Sequence, residues 1–240
     1  MIKRNHLPIY IKKWHPFLTL GLIIVPFLFL LIFSRILHVS IGALLFDLLI
    51  SLMRLFAAYS IAILLGWIGA VLFYQGKSAA IALPLFDTLQ SFPTFAILPL
   101  VTFFWGISNT TIIFFLVLTI VWPILFSIIG SLKLIKNEWK EAAQIMQLKG
   151  KVYFFRFLFP ITVPGLITGS LIGLGEGWEA LVATEIIIGA HAGLGSFFQS
   201  FSHNVPITAF GVFGFLILVF SINQLIWMPL LHKSYERMEE

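Results

Sequence analysis

Apolar runs of membrane-crossing length set the pattern of the chain. "FLTLGLIIVPFLFLLIFS", Phe17 to Ser34, carries no charge and is long enough to cross a hydrocarbon core roughly 30 Å thick as a helix. A weaker amphipathic piece, "IGALLFDLLISLMR", leads to a second span near Leu55 to Tyr74 and a turn at Gly76 and Lys77. The third candidate, Ala79 to Trp105, is interrupted by Pro84, Pro93 and Pro99 and carries Asp87 and Gln90, which predicts a kinked span lying against protein. After the turn Gly106 to Asn109 come a fourth span, Thr111 to Leu132, a glycine-rich fifth, Pro160 to Ala190, and a sixth, Ile207 to Leu231. The runs are continuous and do not alternate, which excludes a β-barrel. The pattern predicts an all-α membrane protein with six transmembrane helices.

Composition agrees. Of 240 residues 60% are hydrophobic and 10% charged, with mean hydropathy +1.03, more apolar surface than a water-soluble domain can carry. Cysteine is absent, so no disulfide framework or Cys-ligated metal is available. The first apolar run exceeds the roughly 7–15 residues of a secretory signal and lacks a small-residue cleavage site, so it reads as a retained helix. The net charge of +5 records topology and does not point to nucleic acid. With the N-terminus inside, every Lys and Arg except Arg35 and Arg54 falls on the cytoplasmic side, while the turns at Gly106–Asn109 and His191–Val205 contain neither. Both termini are therefore expected in the cytoplasm. No separate soluble domain or strong internal repeat is visible.

The longest internal loop contains "KNEWKEAAQIMQLKG", Lys136 to Gly150. Asn137 reads as an N-cap, Glu138 suits the positive end of a helix, and Gly150 reads as its stop. Trp139, Ala142, Ala143 and Met146 recur at three- and four-residue spacing and give a short apolar face. "KVYFFRFLFP" follows as a second amphipathic piece ending at Pro160. Such a helix either rests on lipid headgroups, its basic residues meeting anionic lipid, or docks its small-residue face into a groove of a soluble partner.

"EAAQIMQLKGKVYFFRFLFPITVPGLITG", Glu141 to Gly169, resembles the signature loop of binding-protein-dependent ABC importer permeases. "DTLQSFPTFAILPLVTFFWGISN", Asp87 to Asn109, and "WEALVATEIIIGAHAGLG", Trp178 to Gly195, resemble further segments of the nitrate, sulfonate and taurine permease group. The similarity runs over most of Leu55 to the C-terminus. It implies a type I ABC importer permease fold with a cytoplasmic coupling helix. Residues 1–54 form an N-terminal cytoplasmic segment, first helix and connector, and residues 55–240 a permease core with its coupling loop at about 133–159. One departure stands out. The family's loop glycine normally comes four residues after the second Ala, where this chain has Gln147, with glycine displaced to Gly150. That predicts a later turn or a changed grip on the partner.

By this resemblance the chain is no enzyme and carries no cofactor. ATP and Mg²⁺ belong to cytoplasmic ATPase subunits, a second permease copy or paralogue completes the pathway, and an extracytoplasmic solute-binding protein delivers substrate to the loops near Ser108 and His191–Asn204. Glu141, Ala142 and Ala143 would be the coupling contact, with Trp139 and Met146 packed around it and Gly150 closing the loop. The expected location is the bacterial plasma (inner) membrane.

Three acids remain. Glu176 and Glu179 share a helical face within the fifth span and Glu185 points elsewhere; carboxylates at this depth normally face protein or a water-filled cavity. They either line the translocation path or gate, or pair with Arg54 or with polar groups such as Gln90 to fix helix packing; for Glu185 the structural or gating role is favoured. Two unneutralised acids would repel an anion, which suggests a neutral or cationic solute. Glycines 165, 169, 173, 175 and 177 suggest close helix contact. The scattered histidines show no metal-ligand spacing. Two other functions stay open on sequence: an ion-coupled secondary transporter using the glutamates, and an intramembrane enzyme using Glu176, Glu179 and a histidine.

Overall fold

The computed structural model describes residues 16–239, all of its regular elements helical. The basic residues Lys3, Arg4, Lys12 and Lys13 lie outside the described residues, as does the side chain of Arg237. The long elements are α1 (Pro16–Ile36), α2 (Ile41–Phe73), α5 (Asn109–Lys133), α8 (Phe159–Ile187) and α10 (Val205–Ile222). Shorter ones are α3 (Gly76–Gln90), α4 (Leu98–Trp105), α6 (Asn137–Ile145), α7 (Gly150–Tyr153), α9 (Leu194–Ser200) and α11 (Met228–Glu239). Five runs are apolar and long enough to cross a membrane, and a sixth is added if α3 and α4 count as one broken span.

The connector and second span are one element. α2 runs unbroken for 33 residues through positions 54 and 55, about 50 Å at 1.5 Å per residue. Its buried positions, Leu44, Ser51, Leu55, Ala58, Ala62, Gly66 and Ala70, recur at steps of three, four or seven and so form one stripe along the helix. The expected kink is real but sits at one place. α3 and the run Thr94–Trp105, a 3₁₀ turn leading into α4, meet at 74° across Ser91–Pro93, whereas Pro84 lies inside α3 and Pro99 stands in the first turn of α4, where a missing N–H costs nothing.

α5 is the central helix. Ile112, Phe115, Leu116, Ile120, Ile124 and Ile128 are all essentially inaccessible between α2 and α8. The α8 side of this contact is a stripe of Gly165, Gly169, Gly173 and Gly177 at steps of four. A Cβ at Gly169 would stand 2.6 Å from the Ile124 Cα and 2.7 Å from the Pro123 carbonyl, and one at Gly165 would overlap the Ser127 carbonyl. These glycines let two backbones touch. Gly175 does not belong with them, because open space surrounds its missing Cβ.

The second amphipathic piece and the fifth span are also continuous, Gly150 to Ile187. Pro160 does not end a helix; a single wide π turn, Phe154–Leu158, precedes it, with the Phe159 N–H donating to the Phe154 carbonyl. The same device recurs at Asn223–Trp227 ahead of Met228–Pro229. In each case the widened turn absorbs the donor that the proline lacks and the clash its ring would make.

Candidate functional site

The fold puts the sequence-predicted residues at three separate places. Glu185, near the end of α8, is 0% exposed and ion-paired: Arg54 Nη1 stands 2.6 Å from its Oε1. Ser51 Oγ lies 2.8 and 3.0 Å from its two oxygens and the Gly195 N–H donates to it at 2.8 Å. Asp47, Ser51 and Arg54 come from one face of α2 at steps of four and three. Together with Glu185 they cap the start of α9: Gly193 N–H donates to Asp47 Oδ1, Leu194 N–H to Ser51 Oγ and Gly195 N–H to Glu185 Oε2. Three amides that a helix start leaves unpaired are thus each given an oxygen from another element. Arg54 also donates to the Ala192 carbonyl at 2.8 Å and, through Nε, to Asn109 Oδ1 at 2.9 Å, tying the loop to the start of α5.

The Gly-Leu-Gly at 193–195 follows from this nest. Gly193 has φ +122, and a Cβ there would stand 2.5 Å from a Glu185 oxygen, while one at Gly195 would overlap the Glu185 Cβ. Of the proposed partners for the acids, Arg54 takes Glu185. Gln90 takes none of them and donates to Asp87 Oδ1 at 3.2 Å. Sequence reasoning placed Arg54 at a span edge and passed over Asp47 and Ser51. The spacing 47–51–54 along the α2 stripe was the available signal.

Glu176 and Glu179 lie elsewhere, exposed on a face of α8 that also shows Ile172 and Ile186 and that is left uncovered by the described residues. Neither has a hydrogen-bond or ion-pair partner among the described residues. Glu176 is eleven residues from the end of α8, about 16 Å into the span.

α6 stands at the opposite end of the bundle from Glu185 and makes little contact with the other helices. Lys136 is its N-cap and Asn137 its first residue, one position from the expectation. It ends at Ile145, so Gly150 is not its stop. The stop is a Schellman motif: Leu148 N–H donates to the Ala143 carbonyl at 3.0 Å and Gln147 N–H to the Gln144 carbonyl at 2.9 Å. Gln147 itself adopts φ +51, the left-handed turn a glycine normally supplies, so the loop turns at 147 without one; Gly150, at φ +53, adds a second turn and starts α7. Of the predicted apolar face only Ala143 is buried. Ala142 and Met146 are exposed, Trp139 is partly so, and Ile145, missed on sequence, is 82% exposed beside them. Glu138 and Glu141 flank this edge. Ile145 is one turn after Glu141 and was legible as its neighbour.

No group of His, Asp or Glu suited to a metal occurs among the described residues. A bundle of apolar spans with an anchored loop at one end and an exposed amphipathic helix at the other is that of a multi-pass membrane protein. Residues 62–237 match the model of the family described as binding-protein-dependent transport system inner membrane component, and the chain belongs to that family. It is similar to nitrate import permease protein NrtB of Synechocystis sp., 32% identical over 148 residues, 61% of this chain and 54% of the relative. It is also similar to taurine transport system permease protein TauC of Escherichia coli, 32% over 151 residues, 62% and 54%, and to bicarbonate transport system permease protein CmpB of Synechococcus elongatus, 27% over 148 residues, 61% and 53%. The chain thus spans about half the length of the curated relatives it matches.

Proposed function

We propose that this chain is the membrane-spanning permease subunit of an ATP-binding-cassette importer, moving a small solute handed over by an extracytoplasmic binding protein. α6 is the handle gripped by a cytoplasmic ATPase, which holds the ATP and Mg²⁺. The observation that carries the reading is the exposed edge of Ala142, Ile145 and Met146 between Glu138 and Glu141, held clear of the bundle in a chain of this family. Full burial of a side chain such as Ile145 or Met146 is worth about 1.5–3 kcal/mol, so this edge is a sound basis for docking. Glu141, Ala142, Ala143, Trp139 and Met146 form the contact, with Ile145 added. Gln147 and Gly150 shape the loop beneath it.

Glu176 and Glu179 line the translocation path, shared with a second permease copy or paralogue. Unpaired carboxylates at this depth do not face lipid, so their open face requires water or another protein. Their charge favours a neutral or cationic solute. Glu185 holds the outer loop on which the binding protein lands.

Because the chain has no cysteine, single cysteines report topology cleanly. In intact cells of a bacterial host, Ile145→Cys is expected to resist a membrane-impermeant thiol reagent and Ser108→Cys to react. Ile145→Asp is expected to abolish co-purification of the ATPase and ATP-driven uptake. External labelling at position 145, or full coupling in the Asp variant, refutes the assignment. Uptake of small anions alone from a panel including cationic heterocycles removes the solute class.

A further inference from the structure

At the α6 end of the bundle, α5, α6, α8 and α11 line a half-open cavity of about 1020 Å³. Its lining is of two kinds: Val163 and Ile167 of α8 and Leu230 of α11 are apolar, whereas Lys136 and Lys233 bring cations and Ser127, Ser131 and Ser234 bring hydroxyls. No carboxylate lines it among the described residues. Lys136 Nζ lies 5.9 Å from the Trp139 ring centroid. Ser234 is 7% exposed and its Oγ has no hydrogen-bond partner among the described residues, an unusual state for a buried hydroxyl.

Two cations, an unpartnered buried donor and a greasy wall in one cleft describe a ligand that is anionic at one end and apolar along its length. We infer that this cavity is a binding site for an anionic membrane phospholipid, its phosphate held between Lys136 and Lys233 with Ser234 donating, and one acyl chain lying along Val163, Ile167 and Leu230. The volume is at the upper end of the ~300–1,000 Å³ typical of small-solute pockets, room for a headgroup and the first part of a chain. A free phosphate would use the cations and leave the wall unexplained. The site requires only that this end of the bundle lies at a headgroup layer, whichever leaflet that is, so it stands or falls apart from the importer reading. By forming walls with Trp139 and Pro160, it would set the resting position of α6 against α8.

The test uses the full chain, reconstituted in nanodiscs of mixed phosphatidylcholine and phosphatidylglycerol, then extracted in mild detergent with the retained lipid quantified by mass spectrometry. Phosphatidylglycerol is expected to be enriched on the protein, and retention to fall about five-fold for each of Lys136→Gln and Lys233→Gln, the effect of one lysine charge at an anionic surface. Ser234→Ala is expected to lower it further. Lys136→Arg with Lys233→Arg should restore it, which separates loss of charge from loss of fold. Lys77→Gln, which removes an exposed lysine outside the cavity, should leave retention unchanged. Unaltered retention in the double Gln variant overturns the site. So does an equal loss in Lys77→Gln, which would indicate diffuse surface attraction, or release of phosphatidylglycerol by excess inorganic phosphate, which would make the free anion the ligand.

Discussion

Removing one partner of the Arg54–Glu185 pair is expected to unfold the end of the bundle that carries the α9 loop. Glu185 is wholly inaccessible and Arg54 only 11% exposed, so the surviving charge in either single variant stays in protein. Losing one member of such a pair typically costs about 3–5 kcal/mol. Arg54→Met leaves the carboxylate with only Ser51 and the Gly195 amide, and frees the Ala192 carbonyl and Asn109. Glu185→Leu strands the Arg54 cation and orphans the Gly195 amide. In the double variant no charge is stranded, and the remaining loss is that of neutral hydrogen bonds at about 1 kcal/mol each. The double variant is therefore expected to be more stable than the sum of the singles predicts, with a coupling energy of about 2–3 kcal/mol. Equilibrium unfolding of the purified chain in mixed micelles measures all four corners of the cycle. Strict additivity, or single variants each costing under about 1 kcal/mol, would show that the pair is solvated and the anchor argument mistaken.

Two further outcomes follow from backbone geometry. Gln147→Gly is expected to stabilise the α6 loop by about 1 kcal/mol, because Gln147 holds a left-handed turn at φ +51 that costs an L-residue roughly 1–2 kcal/mol. Slower amide exchange at Gln147 and Leu148 would register it, and a destabilised loop would contradict it. Gly169→Val is expected to cost several kcal/mol in the same unfolding assay, since even its Cβ would press on the Ile124 and Pro123 backbone of α5; a cost near zero would mean that α5 and α8 are not in backbone contact.

Much of this was legible in the sequence, and the misses have physical causes. The spans were read from length and hydropathy alone, and α1, α5 and α10 begin within two residues or so of the expectation. α2 was split at Arg54 because a cation inside an apolar run looks like a boundary until its counter-ion is known, and Glu185 lies 131 positions away. Gly150 reads as the helix stop because glycine is the usual left-handed residue. The hydrogen bonds of the Schellman motif instead place that turn at Gln147. Periodicity groups Trp139 with Met146 on α6 but does not say which edge meets the bundle, so it gives no reason to single out Ile145.

The paired wide turns before Pro160 and Pro229 have a mechanical consequence. On the α8 side α6 is joined to the bundle through Gly150–Leu158, whose looser ring of hydrogen bonds in the π turn bends more readily than a regular helix, and a matching joint lies in the run from α10 to α11. Flexure at either joint would leave the hydrogen bonding of the glycine-lined seam, where α8 meets α5, untouched, because both π turns lie outside it.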